Sequence, residues 1–403
     1  MKSFPNAKLS SRLLLGLMLA VCALSGCNTA SSGTSESSSA PSAETSVSKS
    51  AEVSEAETSS EVEQGDSELP TIVTMWEDVS ADPNDLSRPV DLSKVTNLDD
   101  PLLQTLTFST RTIFPEDWQE KASTLLERCK DPGLGVRQLH EAGITGEGVG
   151  VAIIDQPMYQ NHPEFDGKII EYRDFNTGFE SSMHGPGVTS LLVGETTGTA
   201  PGAKVYYAAV PSWQEDAQYY ADALEWIIET NETLPEEEKI RVVSVSAAPS
   251  SRVFANEDSW LPMVQRAEEN GMIVLDCTDE HGVIAPCYYS AEDPDDFSLV
   301  KVGFKDSGEG TMLPTDDLFA PCSSRTVAEQ YLEDETAYTY CGNAGLSWSI
   351  PYAAGVLAMG FQLRPEMTGE EMLACLMDTA YVREDGFRII NPPAFIEALQ
   401  QME

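Results

Sequence analysis

Val149-Gly-Val-Ala-Ile-Ile-Asp155 is a short apolar run closed by an acid. Its length suits a strand, and without polar alternation both faces of that strand must be buried. Similar runs recur at Lys204 to Val210, Arg241 to Ala247, Met272 to Cys277 and Leu299 to Phe304. Helix patterns lie between them: Ala217 to Thr230 after the cap residue Asp216, and Trp260 to Asn270 stopped by Gly271. A last helix is expected from the capping box Thr368-Gly-Glu-Glu371 to about Thr379. Strands alternating with helices predict an α/β protein, a mainly parallel sheet covered by helices on both faces. Reacting side chains then collect at the carboxyl edge of the strands.

Working outward, residues 138–403 form the unit that carries these patterns, and residues 70–137 precede it as an amino-terminal extension or propeptide-like segment. That segment regains apolar and aromatic residues. Glu116 to Cys129 reads as a helix, and Leu103 to Ile113, alternating Thr with apolar residues, as a strand. Residues 27–69 are mostly Ser, Glu, Ala and Thr and hold too little apolar surface to offset the entropy of ordering, which predicts a disordered tether. Residues 1–26 read as a signal peptide: Lys2, Lys8 and Arg12 precede the apolar run Leu13 to Leu24, too short for a membrane span.

Composition narrows the function. The 403 residues hold 66 Asp and Glu against 24 Lys and Arg, a formal charge of −42. Such a field repels phosphate backbones, which excludes nucleic acid as a partner. The four His and eight Cys show no metal-finger spacing. Beyond the leader and Cys27 stand Cys129, Cys277, Cys287, Cys322, Cys341 and Cys375. Export permits disulfides among them; Cys277 with Cys287 and Cys322 with Cys341 are the pairings put forward, with single buried thiols as the alternative.

Three element ends hold a base, a nucleophile and an orienting acid. Asp155 closes the first strand, His184 stands in Met183-His-Gly-Pro-Gly-Val188, and Ser347 in Gly345-Leu-Ser-Trp-Ser-Ile-Pro351. Serine is a poor nucleophile until an imidazole takes its proton, and a carboxylate fixes the imidazole tautomer and stabilises its charged form. Pro351 is expected in the first turn of a helix whose positive end faces a developing oxyanion. The run Ala353-Ala354-Gly355 gives that helix a slim face for close burial.

In order and spacing these segments resemble the subtilisin-like serine proteases (subtilases, peptidase family S8). The carrying residues are Val151 to Asp155 with Asn161-His-Pro-Glu-Phe165, His184-Gly-Pro-Gly-Val188 with Gly198-Thr-Ala-Pro-Gly-Ala203, Asp317-Leu-Phe-Ala-Pro321, and Gly345 to Gly355. The resemblance covers roughly residues 135 to 400. It implies a subtilisin-like three-layer sandwich, an Asp155–His184–Ser347 triad and peptide or protein substrates. It also implies substrate pairing beside Ser246, Ala247 and Ala248, with Cys277 to Gly282 as the opposite pocket wall. No cofactor is implied, though structural calcium, which many subtilases hold, is left open; no Asp-x-Asp-x-Asp-Gly loop is present.

The sequence departs from the family pattern at Gln156-Pro157, at Leu346 and Trp348 beside the nucleophile, and at Glu280, where the oxyanion Asn is expected (Asp279 with one residue of slip). Leu24-Ser-Gly-Cys27 resembles the lipobox of bacterial lipoproteins, which implies acylation of Cys27 and a lipid-anchored chain on the extracytoplasmic face of the cell membrane. The expected function is a lipid-anchored serine endopeptidase. The alternatives are a catalytically impaired subtilase-like protein that binds peptides or a partner, and a solute-binding lipoprotein.

Overall fold

The computed structural model describes residues 90–278, 281–303 and 315–402. The leader, Cys27, the tether, Asp279, Glu280 and Phe304 lie outside them.

The opening run forms β2 (Gly150–Asp155), every residue of which is buried. Successive side chains of a strand point to opposite faces. Accordingly Val151 and Ile153 enter one apolar cluster, and Ala152 and Ile154 another. The same split runs through β4 (Lys204–Ala209), β5 (Ile240–Val245) and β6 (Ile273–Leu275). With β3 (Ile169–Asp174) these strands make a parallel sheet of order β3-β4-β2-β5-β6. On one face lie α4 (His184–Val193) and α7 (Leu346–Leu363); on the other lie α5 (Ala217–Thr233) and α6 (Trp260–Glu269). The chain is thus an α/β three-layer sandwich. Between these elements in chain order stand α1 (Asp100–Thr105), β1 (Thr107–Ser109), α2 (Glu116–Arg128) and α3 (Val136–Glu141) at the amino end, and β7 (Ile284–Tyr288), β8 (Lys301–Val302), β9 (Leu318–Pro321), β10 (Arg325–Leu332) and β11 (Glu335–Cys341) after β6. The chain closes with α8 (Gly369–Asp378), β12 (Tyr381–Val382), β13 (Arg388–Ile389) and α9 (Pro392–Gln401).

Local signals act where they stand. The Asp216 side chain caps α5 through Gln218 N–H, Gly271 takes φ +81° after α6, and Thr368 with Glu371 completes the capping box of α8. The slim face of α7 is required: a Cβ on Gly355 would lie 2.7 Å from Thr199 Cβ. Two expectations fail in part. Of the strand expected over Leu299 to Phe304, the described residues form only β8, antiparallel to β7 in a second sheet. The strand expected over Leu103 to Ile113 shortens to β1, because Asp99 accepts from Leu102 N–H and starts α1 over its first residues.

The extension does not stand apart. β1 pairs antiparallel with β11 and extends the β10–β11 hairpin. Leu103, Leu106, Phe108, Phe114, Leu125 and Leu126 bury a cluster of their own against Tyr340 and Ala291. Arg111 also pairs with Glu329 of the hairpin.

Glu164, in the His-Pro-Glu turn, braces the hairpin from the other side. Its carboxylate accepts from Thr196 N–H and Thr197 N–H, from the Thr197 hydroxyl and from Tyr338 Oη at 2.8 Å. Burial opposes its ionisation, yet the bonds from Thr196, Tyr338 and Thr197 outweigh burial and hold the carboxyl below its usual range. A depressed folded-state pKa contributes stability that is present above the unfolded value and lost as pH falls through the folded one. Glu164→Gln should therefore lower unfolding stability near neutral pH by about 1.5–3 kcal/mol, the scale of hydrogen bonds to a charged group. Denaturant titration between pH 7 and 3 checks it: the deficit should shrink as pH drops below about 4.5, and a pH-independent deficit would contradict the charge argument.

Candidate active site

Asp155 ends β2 at the carboxyl edge of the sheet and is 4% exposed. Its Oδ1 accepts from Gln156 N–H at 2.7 Å and lies 2.6 Å from His184 Nδ1. His184 opens α4, so the sheet edge and a helix start bring acid and base together. Their approach requires Gly185: a Cβ there would lie 2.4 Å from the Gln156 carbonyl oxygen and 2.8 Å from Tyr207 Oη. Tyr207 Oη donates to that carbonyl at 2.5 Å, and Gln156 Nε2 donates to Ser212 Oγ at 2.8 Å. The unexpected Gln156 is thus built into the floor of the site.

Ser347 is the second residue of α7, after Gly345 as its cap. Pro351 lies in the second turn, not the first as expected, and this has a chemical result. Proline has no N–H to give to the carbonyl four residues earlier, which is that of Ser347. Ser246 Oγ takes the missing place and donates to Ser347 O at 2.7 Å. In return Ser347 Oγ donates to Ser246 O at 3.3 Å. Among the described residues no hydrogen bond joins Ser347 Oγ to His184. Trp348 closes the arrangement, its ring centroid 5.0 Å from that of His184.

The other site residues expected from sequence fall at the same edge. Ala247 O accepts from Cys277 N–H at 2.9 Å, joining the ends of β5 and β6, and Ala248 O accepts from Ser251 N–H at 3.0 Å. Glu280, Asp279 and Cys27 lie outside the described residues. None of Cys129, Cys277, Cys287, Cys322, Cys341 and Cys375 is in a disulfide, which corrects both suggested pairings. Cys277 follows β6, Cys287 lies in β7, Cys322 directly follows β9, and Cys341 ends β11 of the hairpin. Burial pushes the Cys322 and Cys341 thiols up to about 12, so both are neutral and unreactive. No cluster of three His, Cys, Asp or Glu able to hold a metal occurs among the described residues.

Sequence reasoning missed a polar network beneath the loop after β6. Asp276, fully buried, accepts from Trp260 Nε1 at 2.7 Å and from Thr278 Oγ1 at 2.6 Å. His281 stands between Asp276 Oδ2 at 3.5 Å and Glu268 Oε1 at 3.1 Å. An acid and a His five residues apart at a strand end were the available signal. Burial opposes the charge on His281, but Asp276 and Glu268 raise its pKa to about 9. Burial opposes ionisation of Asp276, but His281, Thr278 and Trp260 hold it below its usual range.

The sheet, its helices and the Asp–His pair at its carboxyl edge define an α/β fold of the subtilase type, and a solved chain from the subtilase cytotoxin SubAB assembly matches it with a TM-score of 0.52 at 15% identity, over 66% of this chain and 95% of that one. Residues 146–300 match the subtilase family model, which takes in Asp155 and His184. The serine protease AprX of Bacillus subtilis (strain 168) is 24% identical over 271 residues, covering 57% of this chain and 60% of its own. The subtilisin-like protease PopC of Myxococcus xanthus (strain DK1622) is 22% identical over 291 residues, 64% of this chain and 61% of its own. The chain thus spans about three fifths of the length of these relatives. Over residues 146–300 the chain is similar to the subtilase family, and its fold is of the subtilase type.

A His whose pKa is raised on folding contributes stability that is full below its unfolded value of about 6.5 and is lost as pH rises through the folded one. His281→Gln should therefore lower the Tm most at pH 6 and progressively less toward pH 9. Thermal melts across that range check this, and a deficit that grows with pH would show that His281 is neutral in the folded protein.

Proposed function

We propose that this chain is a lipid-anchored, extracytoplasmic serine endopeptidase acting through Asp155, His184 and Ser347. The observation that carries the reading is the 2.6 Å contact of His184 Nδ1 with Asp155, which leaves Nε2 as the base, at the sheet edge where Ser347 stands in the first turn of α7. Ser347 Oγ attacks the scissile carbonyl carbon and passes its proton to His184 Nε2. The imidazolium gives that proton to the leaving amine as the peptide C–N bond breaks, leaving an acyl-serine. Water, deprotonated by the same His184, then attacks the ester and releases the acid, and Ser347 Oγ recovers the proton. The first turn of α7 offers its positive end to the oxyanion. Substrate lies extended beside Ser246, Ala247 and Ala248. Lipid anchoring rests on the leader and Leu24-Ser-Gly-Cys27.

A second reading, a subtilase-like protein that binds peptides without cutting them, draws on two observations. Ser347 Oγ donates to Ser246 O, not to His184. Glu280 stands in sequence where the family has an amide. Catalytic hydrogen bonds in unliganded sites are often loose and tighten on substrate, which is why the endopeptidase is preferred.

A fluorophosphonate probe decides between them. The purified mature chain should be labelled at Ser347, with labelling abolished by Ser347→Ala and strongly slowed by His184→Ala. No adduct at Ser347, under conditions where a known subtilase reacts, would favour the binding protein.

Glu280 gives a further expectation. A carboxylate cannot donate to an oxyanion, and loss of one such donor costs about 10²–10³ in kcat. Glu280→Asn should raise kcat on a generic peptide amide by at least about tenfold near neutral pH. An unchanged or lower rate at every pH would place Glu280 away from the reacting carbonyl.

A further inference from the structure

Trp348 directly follows Ser347, is 3% exposed, and sets its ring plane at 58° to that of His184. The room for it is made by Gly187, one turn along α4 from His184, where a Cβ would lie 3.3 Å from Trp348 Cζ2. So large a ring at this point is the departure beside the nucleophile that the triad alone leaves unexplained.

The groups around His184 are few. Asp155 of β2 is the only carboxylate within ion-pair distance among the described residues. Tyr207 of β4 lies behind Gly185, its hydroxyl held by Gln156 O and its ionisation pushed far up by burial. From β11, Cys341 meets the indole as a neutral thiol. The imidazole is therefore held by an acid at Nδ1 and by an aromatic ring at its side. A cation within about 6 Å of a Trp ring centroid is attracted by the negative ring face. A Leu there would offer no such face.

We propose that Trp348 is a positioning residue that keeps the His184 ring on Asp155 and stabilises its protonated form through the indole. This rests on the endopeptidase reading, in which His184 becomes an imidazolium at each transfer. The indole then favours the charged intermediate over the resting neutral base.

The test titrates His184 by NMR in the mature chain, with the Nδ1–H and Cε1–H signals assigned through His184→Gln. It is paired with the pH dependence of fluorophosphonate labelling at Ser347. Trp348→Leu should lower the His184 midpoint by about 0.5–1 pH unit, move the acid limb of labelling with it and slow the plateau about three- to tenfold. Trp348→Phe should shift it less, and decides the matter alone if the Leu variant fails to fold. Unmoved midpoints would overturn the proposal and reduce Trp348 to packing. Absence of labelling in the unmodified chain, with the midpoints still moving, would overturn the endopeptidase reading and support the indole–imidazolium contact. Normal labelling with unmoved midpoints would do the reverse.

Discussion

A carbonyl left without its helical partner organises the site. Because Pro351 has no N–H, Ser347 O is free to accept from Ser246 Oγ, while Ser347 Oγ returns a bond to Ser246 O. This reciprocal link ties the end of β5 to the start of α7. β5 is hydrogen-bonded to β2, β2 ends in Asp155, Asp155 holds His184, and His184 lies against Trp348, the neighbour of Ser347. The contacts close into a ring, so no member can shift without straining the next.

That ring needs a rigid base, which the apolar layers supply. α7 is buried from Trp348 to Phe361, with Gly355 and Gly360 letting Thr199 and Phe395 approach its backbone. α4 makes its own close approaches at Gly185 and Gly187. Close-packed interiors of this kind resist small displacements, which suits a site defined within tenths of an ångström. The amino-terminal extension joins the same support: Leu106 O accepts from Gly342 N–H at 2.9 Å and Thr105 O from Asn343 Nδ2 at 3.2 Å, a few residues before Ser347. Among the described residues its principal packing is with the β10–β11 hairpin and Ala291.

Buried acids are a second theme in a chain of such negative charge. Asp155, Glu164, Asp276 and Glu329 are all nearly inaccessible, and each meets hydrogen-bond donors or a cation. A buried carboxylate without partners would be strongly destabilising. Asp155, Glu164 and Glu329 each join segments far apart in sequence, so these charges act as connectors between loops, strands and hairpin.

Much of this was legible in residue order. Unbroken apolar runs such as Val149 to Ile154 could only be doubly buried strands, and Asp216, Gly271 and Thr368 marked helix ends because capping is a local matter of backbone donors and acceptors. Asp155, His184 and Ser347 stood out because they close or open such elements. Tertiary structure alone decided the rest. It placed Pro351 in the second turn and thereby joined Ser347 to Ser246, 101 residues away. It brought Trp348 onto His184 and made His281 a charged partner of Asp276 and Glu268. It also left all six described cysteines outside any disulfide. Strands, helices and caps depend on neighbours in the chain, whereas these contacts depend on which surfaces the packed layers bring within a few ångströms of one another, and no local pattern encodes that.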